Sequence, residues 1–441
     1  MGLAAPCTVE RGTLSPRTII NYAAIGLVTK ALTLPLVSYL PPAYAQATGL
    51  SLATVGILFM VARLWDIFLD PVAGYLIDRF SPPFGPRKFW ILVAACILCL
   101  TIPPVFSPRF FGLGQGGHIA GPAVMLLIFY FGWTMMAVTH AAWPAELAAT
   151  GTNRARLVGW REWAGVVGMV GIVSTPAIAQ HFGYRTLEDQ LTIMGGFALS
   201  VLPIAVVLSF FLPAWKKREV ARPDPLAVIK LLSSSAHLRK LLLADFFSGS
   251  GFAISSATSF FIVSWLGLAA SFSTLMLAYF IGMIIGIPLF LKITIRLGMR
   301  NSFSMAMIGA ALAMLALAAV PYGAIGIALC FQFGIGLCTG GYQSNLNAQM
   351  VQIAEAHAHK TGRASIGSHF ALLALTNKMG YALAIGICYP LLGALGFHAG
   401  KGLPAHSGLI LSIIGLGGAA MFLCLGAFCF PTKNTNHLHG C

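Results

Sequence analysis

Arg63-Leu64-Trp65-Asp66-Ile67-Phe68-Leu69-Asp70-Pro71 lies inside an apolar run that extends from 50 to 78. Asp66 and Asp70 are four residues apart and project from one helical face. Arg63 precedes Asp66 by three residues and Asp70 by seven, so it joins the same stripe. Charges at this depth in hydrocarbon are costly, and the face that bears them must meet a cavity or the interior of a helix bundle. Two neighbouring carboxylates do not both ionise readily in a low dielectric. A proton or an alkali cation between them relieves the repulsion, and oxygen ligands suit hard cations. The alternative is a packing network in which Arg63 neutralises one acid.

The rest of the chain is built like the run around this stretch. Of its 441 residues 58% are hydrophobic and only 9% charged, where a soluble protein carries about a quarter charged. A soluble fold of this size would leave that apolar surface uncovered. Runs of about 20 residues suffice to cross about 30 Å of hydrocarbon. They recur at 17–44, 50–78, 89–107, 119–147, 160–181, 191–213, 239–267, 271–295, 302–321, 323–350, 366–395 and 405–430. The reading is an all-α membrane protein with twelve spans.

The net charge of +15 would point to nucleic acid in a soluble domain, but no basic, aromatic-bearing soluble face is present. The basic residues gather instead in the loops on one side. That side holds 21 of the 27 Lys and Arg, and the other holds Arg109, Arg185 and Lys401; Lys30, Arg63 and Lys378 lie within spans. This asymmetry predicts cytoplasmic N- and C-termini in a plasma (inner) membrane. The start of the chain lacks the pattern of a signal peptide. Cys96 and Cys99 form a CxxC inside a span, without the context of a redox motif.

The longest polar stretch, 214–238, divides the chain into an N-terminal bundle of six helices (1–213) and a C-terminal one (239–441). A faint repeat supports the division. Phe84-Gly85-Pro86-Arg87-Lys88 follows span 2, and Leu297-Gly298-Met299-Arg300 follows span 8. Two halves related by an axis along the membrane normal describe the major facilitator architecture.

The stretch from Arg63-Leu64-Trp65-Asp66 through Asp70-Pro71, Gly74 and Asp78-Arg79 to Gly85, Arg87 and Lys88 resembles the glycoside–pentoside–hexuronide:cation symporters, a group of the major facilitator superfamily. The resemblance continues through Glu146-Leu147, Arg154, Arg156-Leu157 and Trp160-Arg161, and through Thr376-Asn377-Lys378 in span 11. It implies that Asp66 and Asp70 hold the coupling cation, with the Thr134 hydroxyl available as a further ligand. It also implies that Lys378 faces the central cavity, and Arg63 and Trp65 match the family's pattern beside the acids. At least twelve residues from either end of its span, Lys378 is too deep to snorkel to the interface.

The departures bear on the substrate. At the positions where the family's galactoside binders carry acids in spans 1 and 4, this chain has Lys30 and Ala137, which argues against galactosides. Leu69 replaces an asparagine next to the second aspartate, which removes a neutral oxygen and shifts the expectation toward H⁺ over Na⁺. Lys30, Lys378 and Arg161 together suit an anionic solute such as a hexuronide; alternatively, Lys30 pairs with Asp66 or Asp70. Trp143 and Gln343 are further candidates for the cavity, against helix packing. Asp245, near the start of span 7, is expected to pair with Arg239 or Lys240. Pro41-Pro42 should break or kink span 1. Asp78 with Arg87 and Lys88 matches the superfamily's conformational lock, with no acid at the corresponding Ile295.

The functional expectation is cation-coupled (H⁺ or Na⁺) symport of a sugar-like or anionic solute by alternating access. The alternatives are a lysolipid transporter of the same fold and a non-transporting scaffold or receptor. Neither enzymatic activity, nor a cofactor or metal centre, nor a nucleic-acid partner is expected. The partners are a small-molecule substrate and the lipid bilayer, and the chain is expected to be a monomer.

Overall fold

The computed structural model describes residues 14–80, 85–113, 118–148, 151–184, 186–213, 232, 235–361, 366–397 and 406–431. Among them the fold is entirely helical. Twelve helices are long and apolar enough to span a membrane. They are span 1 (Pro16–Thr48), span 2 (Leu52–Ile77), span 3 (Arg87–Phe106), span 4 (Ala120–Ala142), span 5 (Arg156–Phe182) and span 6 (Leu187–Phe210). Span 7 (Ala236–Trp265), span 8 (Ala269–Leu297), span 9 (Met299–Leu317), span 10 (Ile325–His357), span 11 (Ser368–Ala394) and span 12 (Leu411–Cys429) follow.

Helix starts follow local chemistry. Ser15, Ser51 and Ser235 each accept a hydrogen bond from a backbone N–H of the first turn, satisfying a donor the helix leaves open. Thr186 and Asp189 form a reciprocal capping box ahead of span 6. The Ser235 cap is why span 7 begins three residues before the expected position 239. Most of the expected central loop, 214–231 and 233–234, lies outside the described residues.

The two halves share one packing plan. Span 1 packs on spans 5 and 6, span 2 on span 4, and span 3 on spans 4 and 6. Adding six to each number gives the pairs of the second half: span 7 on 11 and 12, span 8 on 10, span 9 on 10 and 12. The contacts between halves obey the same operation, with span 2 on span 11 and span 8 on span 5. The loop repeat also has a geometric basis. Gly85 (φ 98°, ψ 139°) and Gly298 (φ 82°, ψ 159°) each precede the next span in a backbone region essentially confined to glycine.

Span 1 is not broken at Pro41-Pro42. The distortion lies one turn earlier, as a π-helical turn at Pro35–Tyr39. Each proline lacks the N–H that would bond the carbonyl four residues back, so Pro41 and Pro42 release the carbonyls of Val37 and Ser38. The turn directs Ser38 and Tyr39 toward the second half. Ser38 Oγ lies 2.5 Å from Ser256 Oγ. Tyr39 Oη lies 3.0 Å from Ser273 Oγ, which donates to Gln190 Oε1 at 2.8 Å. Thr274 donates to Gln180 Oε1 at 3.3 Å. These bonds join the halves at the far face, opposite the near face where span 1 begins. Span 2 bears an exposed apolar stripe along its whole length, with Ile57 49%, Phe68 68% and Tyr75 65% exposed, the face such a helix turns to lipid.

Candidate functional site

Span 2 carries its acids into the seam between the halves. Pro71 follows Asp70 directly and leaves the Ile67 carbonyl without its helical donor. Asp66 is fully buried, and Thr134 Oγ1 of span 4 donates to its Oδ1 at 2.5 Å. Arg63 Nη1 lies 3.6 Å from Asp66 Oδ2. The guanidinium stands 5.7 Å from the Tyr130 ring and 5.5 Å from the Trp133 ring, a cation–π clamp that partly replaces lost hydration. Trp133 is fixed in turn by donating to the Thr29 carbonyl of span 1 at 2.9 Å.

Lys378 reaches this group from the other half. Its Nζ lies 3.1 Å from Asp66 Oδ2 and donates to Asp70 Oδ2 at 2.8 Å. The ammonium therefore bridges the two carboxylates, where a proton or alkali cation would otherwise relieve their repulsion. Two cations face two carboxylates, so the group is neutral when both acids are ionised, which limits the cost of burying Asp66 and Arg63. Asp66, Asp70, Thr134, Arg63 and Lys378 are thus one constellation. Trp65, on the same helix, is 42% exposed and adjoins it without a polar contact of its own.

A second cluster stands on spans 1 and 5. The fifth helix starts at Gly151 rather than near 160, so Arg161 lies well inside it rather than at its start. Its neighbour Glu162, not singled out in the sequence, is the acid that organises the cluster. Lys30 Nζ lies 3.2 Å from Glu162 Oε2, and Arg161 donates to Glu162 Oε1 through Nη2 at 2.9 Å. Lys30 therefore pairs with Glu162, and not with Asp66 or Asp70. The close crossing of spans 1 and 5 makes this pairing possible: a Cβ at Gly165 would come within 2.6 Å of Lys30 Cγ. The Lys30 and Glu162 side chains are 45% and 47% exposed. Two cations share one carboxylate, so the cluster carries one excess positive charge.

The remaining candidates fall away from these clusters. Trp143 is 3% exposed and part of the packed core, as its helix-packing alternative has it. Gln343 is exposed on span 10. Asp245 is not an interfacial partner of Arg239 or Lys240: it is fully buried, and Tyr342 Oη and Thr376 Oγ1 donate to its two oxygens. His140 is buried, with Nε2 2.8 Å from the Tyr22 carbonyl. Arg87 and Lys88 brace the first half internally. Arg87 Nε donates to Glu146 Oε1 at 2.8 Å, and Lys88 Nζ donates to the carbonyls of Phe210 and Leu212 at the end of span 6. Lysine is well placed there, because a helix C-terminus favours a cation. The Asp78 side chain lies outside the described residues.

Comparison with known proteins agrees with this arrangement. The "MFS/sugar transport protein" family matches residues 21–433. The putative glycoside/cation symporter YagG of Escherichia coli is 29% identical over 152 residues, which is 34% of this chain and 31% of that relative. The glucuronide carrier protein homolog of the same organism is 22% identical over 408 residues, covering 88% of this chain and 86% of that one. The crystal structure of the nucleoside transporter NupG superposes with a TM-score of 0.66 at 13% identity, over 94% of this chain and 100% of that one, a likeness of fold alone. Matched over nearly its whole length, the chain belongs to the MFS/sugar transport protein family of membrane transporters.

Proposed function

We propose that this transporter couples a cation, H⁺ or Na⁺, to the uptake of a small anionic or sugar-like solute. The observation that carries the reading is Lys378 of one half seated between Asp66 and Asp70 of the other. A cation that binds these carboxylates competes with the ammonium for the same oxygens. Its arrival releases span 11 from span 2 and lets the halves rock; its departure restores the bridge. The cation and the bridge are mutually exclusive, and that exclusion is the coupling.

The substrate reading rests on Lys30, Arg161 and Glu162. A carboxylate or phosphate on the solute would take Glu162's place on the two cations, and the excess positive charge favours the exchange. A glucuronide-carrier name on a relative matching most of the chain agrees with an anionic sugar. The basic loops favour the near face in the cytoplasm, which puts the far-face seal on the outer side. The natural setting is then the plasma (inner) membrane, with both termini cytoplasmic.

The test is transport in proteoliposomes with a labelled glucuronide under Na⁺ or pH gradients. Asp66→Asn should abolish concentrative uptake and retain exchange. Full accumulation by that variant would remove the coupling role, and unchanged function in both Asp66→Asn and Asp70→Asn would favour a scaffold or receptor. A lysolipid transporter of the same fold is the alternative. Stabilisation of the purified protein by lysolipid alone, indifferent to Na⁺ and pH, would turn the reading that way.

A further inference from the structure

Apart from Glu355 near the end of span 10, Asp245 is the only acid beyond residue 240. It stands nine residues into span 7, about 14 Å along the helix, and is fully buried. Among the described residues no cationic side chain forms an ion pair with it. Span 10 presents Tyr342 and span 11 presents Thr376, Asn377 and Tyr381. Lys378, next on span 11, is turned to Asp66 and Asp70. Span 12 carries only Cys424 and Cys429 as titratable groups, and the π-helical turn of span 1 carries Tyr39, which is held by Ser273. On its own helix His237, Arg239 and Lys240 lie more than a turn toward the near face.

The hydrogen bonds allow two complete arrangements. Thr376 has one hydroxyl proton and two acceptors in reach, Asp245 Oδ2 at 2.6 Å and the Leu373 carbonyl at 2.9 Å. With Asp245 protonated on Oδ2, the acid donates to Thr376 Oγ1, Thr376 donates to Leu373, and Tyr342 donates to Oδ1 at 2.5 Å. No donor or acceptor of the trio is wasted. With Asp245 ionised, Thr376 turns its proton to the carboxylate, and the Asn377 amide, within reach of both Asp245 and Tyr342, supplies a further donor. An uncompensated charge this deep is costly, so the protonated arrangement is the resting one.

We propose that Asp245 is a second proton-binding site, in the C-terminal half, held between Tyr342 and Thr376 and separate from the Asp66–Asp70 pair. On release the Asp245 O–H bond breaks, the proton passes to a water molecule admitted from the near face, and the carboxylate keeps its three neutral donors. The proposal does not depend on the nature of the solute or on the coupling role of span 2.

Infrared spectroscopy of the full-length protein in lipid tests it, because only a protonated acid has a carboxylic C=O stretch. The wild type should show such a band at neutral pH, lost reversibly as the pH is raised. Asp245→Asn should remove that band, Asp66→Asn should leave it in place, and Thr376→Val should shift it to higher frequency by removing its acceptor. Identical wild-type and Asp245→Asn spectra would overturn the proposal, as would a band that does not respond to pH. Should Asp245→Asn fail to fold, Thr376→Val decides alone: a band that does not move is not Asp245.

Discussion

Asp66 and Asp70 on one side and Asp245 on the other show two ways of keeping acids inside a membrane protein. Asp66 is compensated by charge: Arg63 and Lys378 surround it, and Thr134 supplies a hydroxyl. Asp245 is compensated by neutral donors from spans 10 and 11. A charge-compensated acid is bound to its partners, so its release must move a cation or a helix. A hydroxyl-compensated acid can change protonation while its neighbours only rotate hydroxyls. The first arrangement suits coupling between halves; the second suits storage within one.

The largest expected effect separates the two directly. Asp66→Ala strands Arg63 and leaves Lys378 with Asp70 alone, and should cost about 3–5 kcal/mol, the usual penalty for breaking a buried ionic group. Chemical denaturation in micelles reads the loss. Thr134→Val removes one hydrogen bond to a charged group and should cost about 1.5–3 kcal/mol by the same assay. Asp245→Ala orphans chiefly the Tyr342 hydroxyl, since Thr376 keeps Leu373, and should cost about 1–3 kcal/mol. Asp245→Asn should cost less than Asp245→Ala. A loss with Asp245→Asn as large as with Asp66→Ala would break the comparison, because it would mean that Asp245 is held as an anion. Smallest is Glu162→Gln, which loosens a half-exposed ion pair and should cost under about 1 kcal/mol. It frees Lys30 and Arg161, so glucuronate should stabilise this variant more than the wild type in a thermal-shift titration.

The spans, the Asp66–Asp70 pair and the depth of Lys378 were legible because each rests on a signal that survives without neighbours: an apolar run, a four-residue spacing, a lysine too deep to snorkel. That Lys378 closes on the two acids was not, since it lies 308 residues from Asp70. Glu162 was overlooked because the partner that gives it a role, Lys30, lies on span 1, far away along the chain. The surroundings of Asp245 were beyond local reading, since Tyr342 and Thr376 lie 97 and 131 residues away. Asp245 read as interfacial because Arg239 and Lys240 were its nearest charges along the chain. Arg87 and Lys88 matched the superfamily's conformational lock with Asp78, and among the described residues they hold Glu146 and the end of span 6. Matching a motif did not determine which partner its residues take in this conformation.

The far-face seal has a kinetic consequence. Among the described residues, the polar bonds across it, from Ser38, Ser256, Tyr39, Ser273, Gln190, Thr274 and Gln180, use hydroxyls and amides. Bonds of this kind contribute about 0.5–1.5 kcal/mol each, so this polar part of the seal is a sum of small increments that can be unfastened one at a time. Counter-ions screen charges and have nothing to screen in these bonds. The opening rate of the gate should therefore be the same in dilute buffer and in strong salt, with the salt sensitivity of turnover confined to solute capture and to the span 2–span 11 bridge.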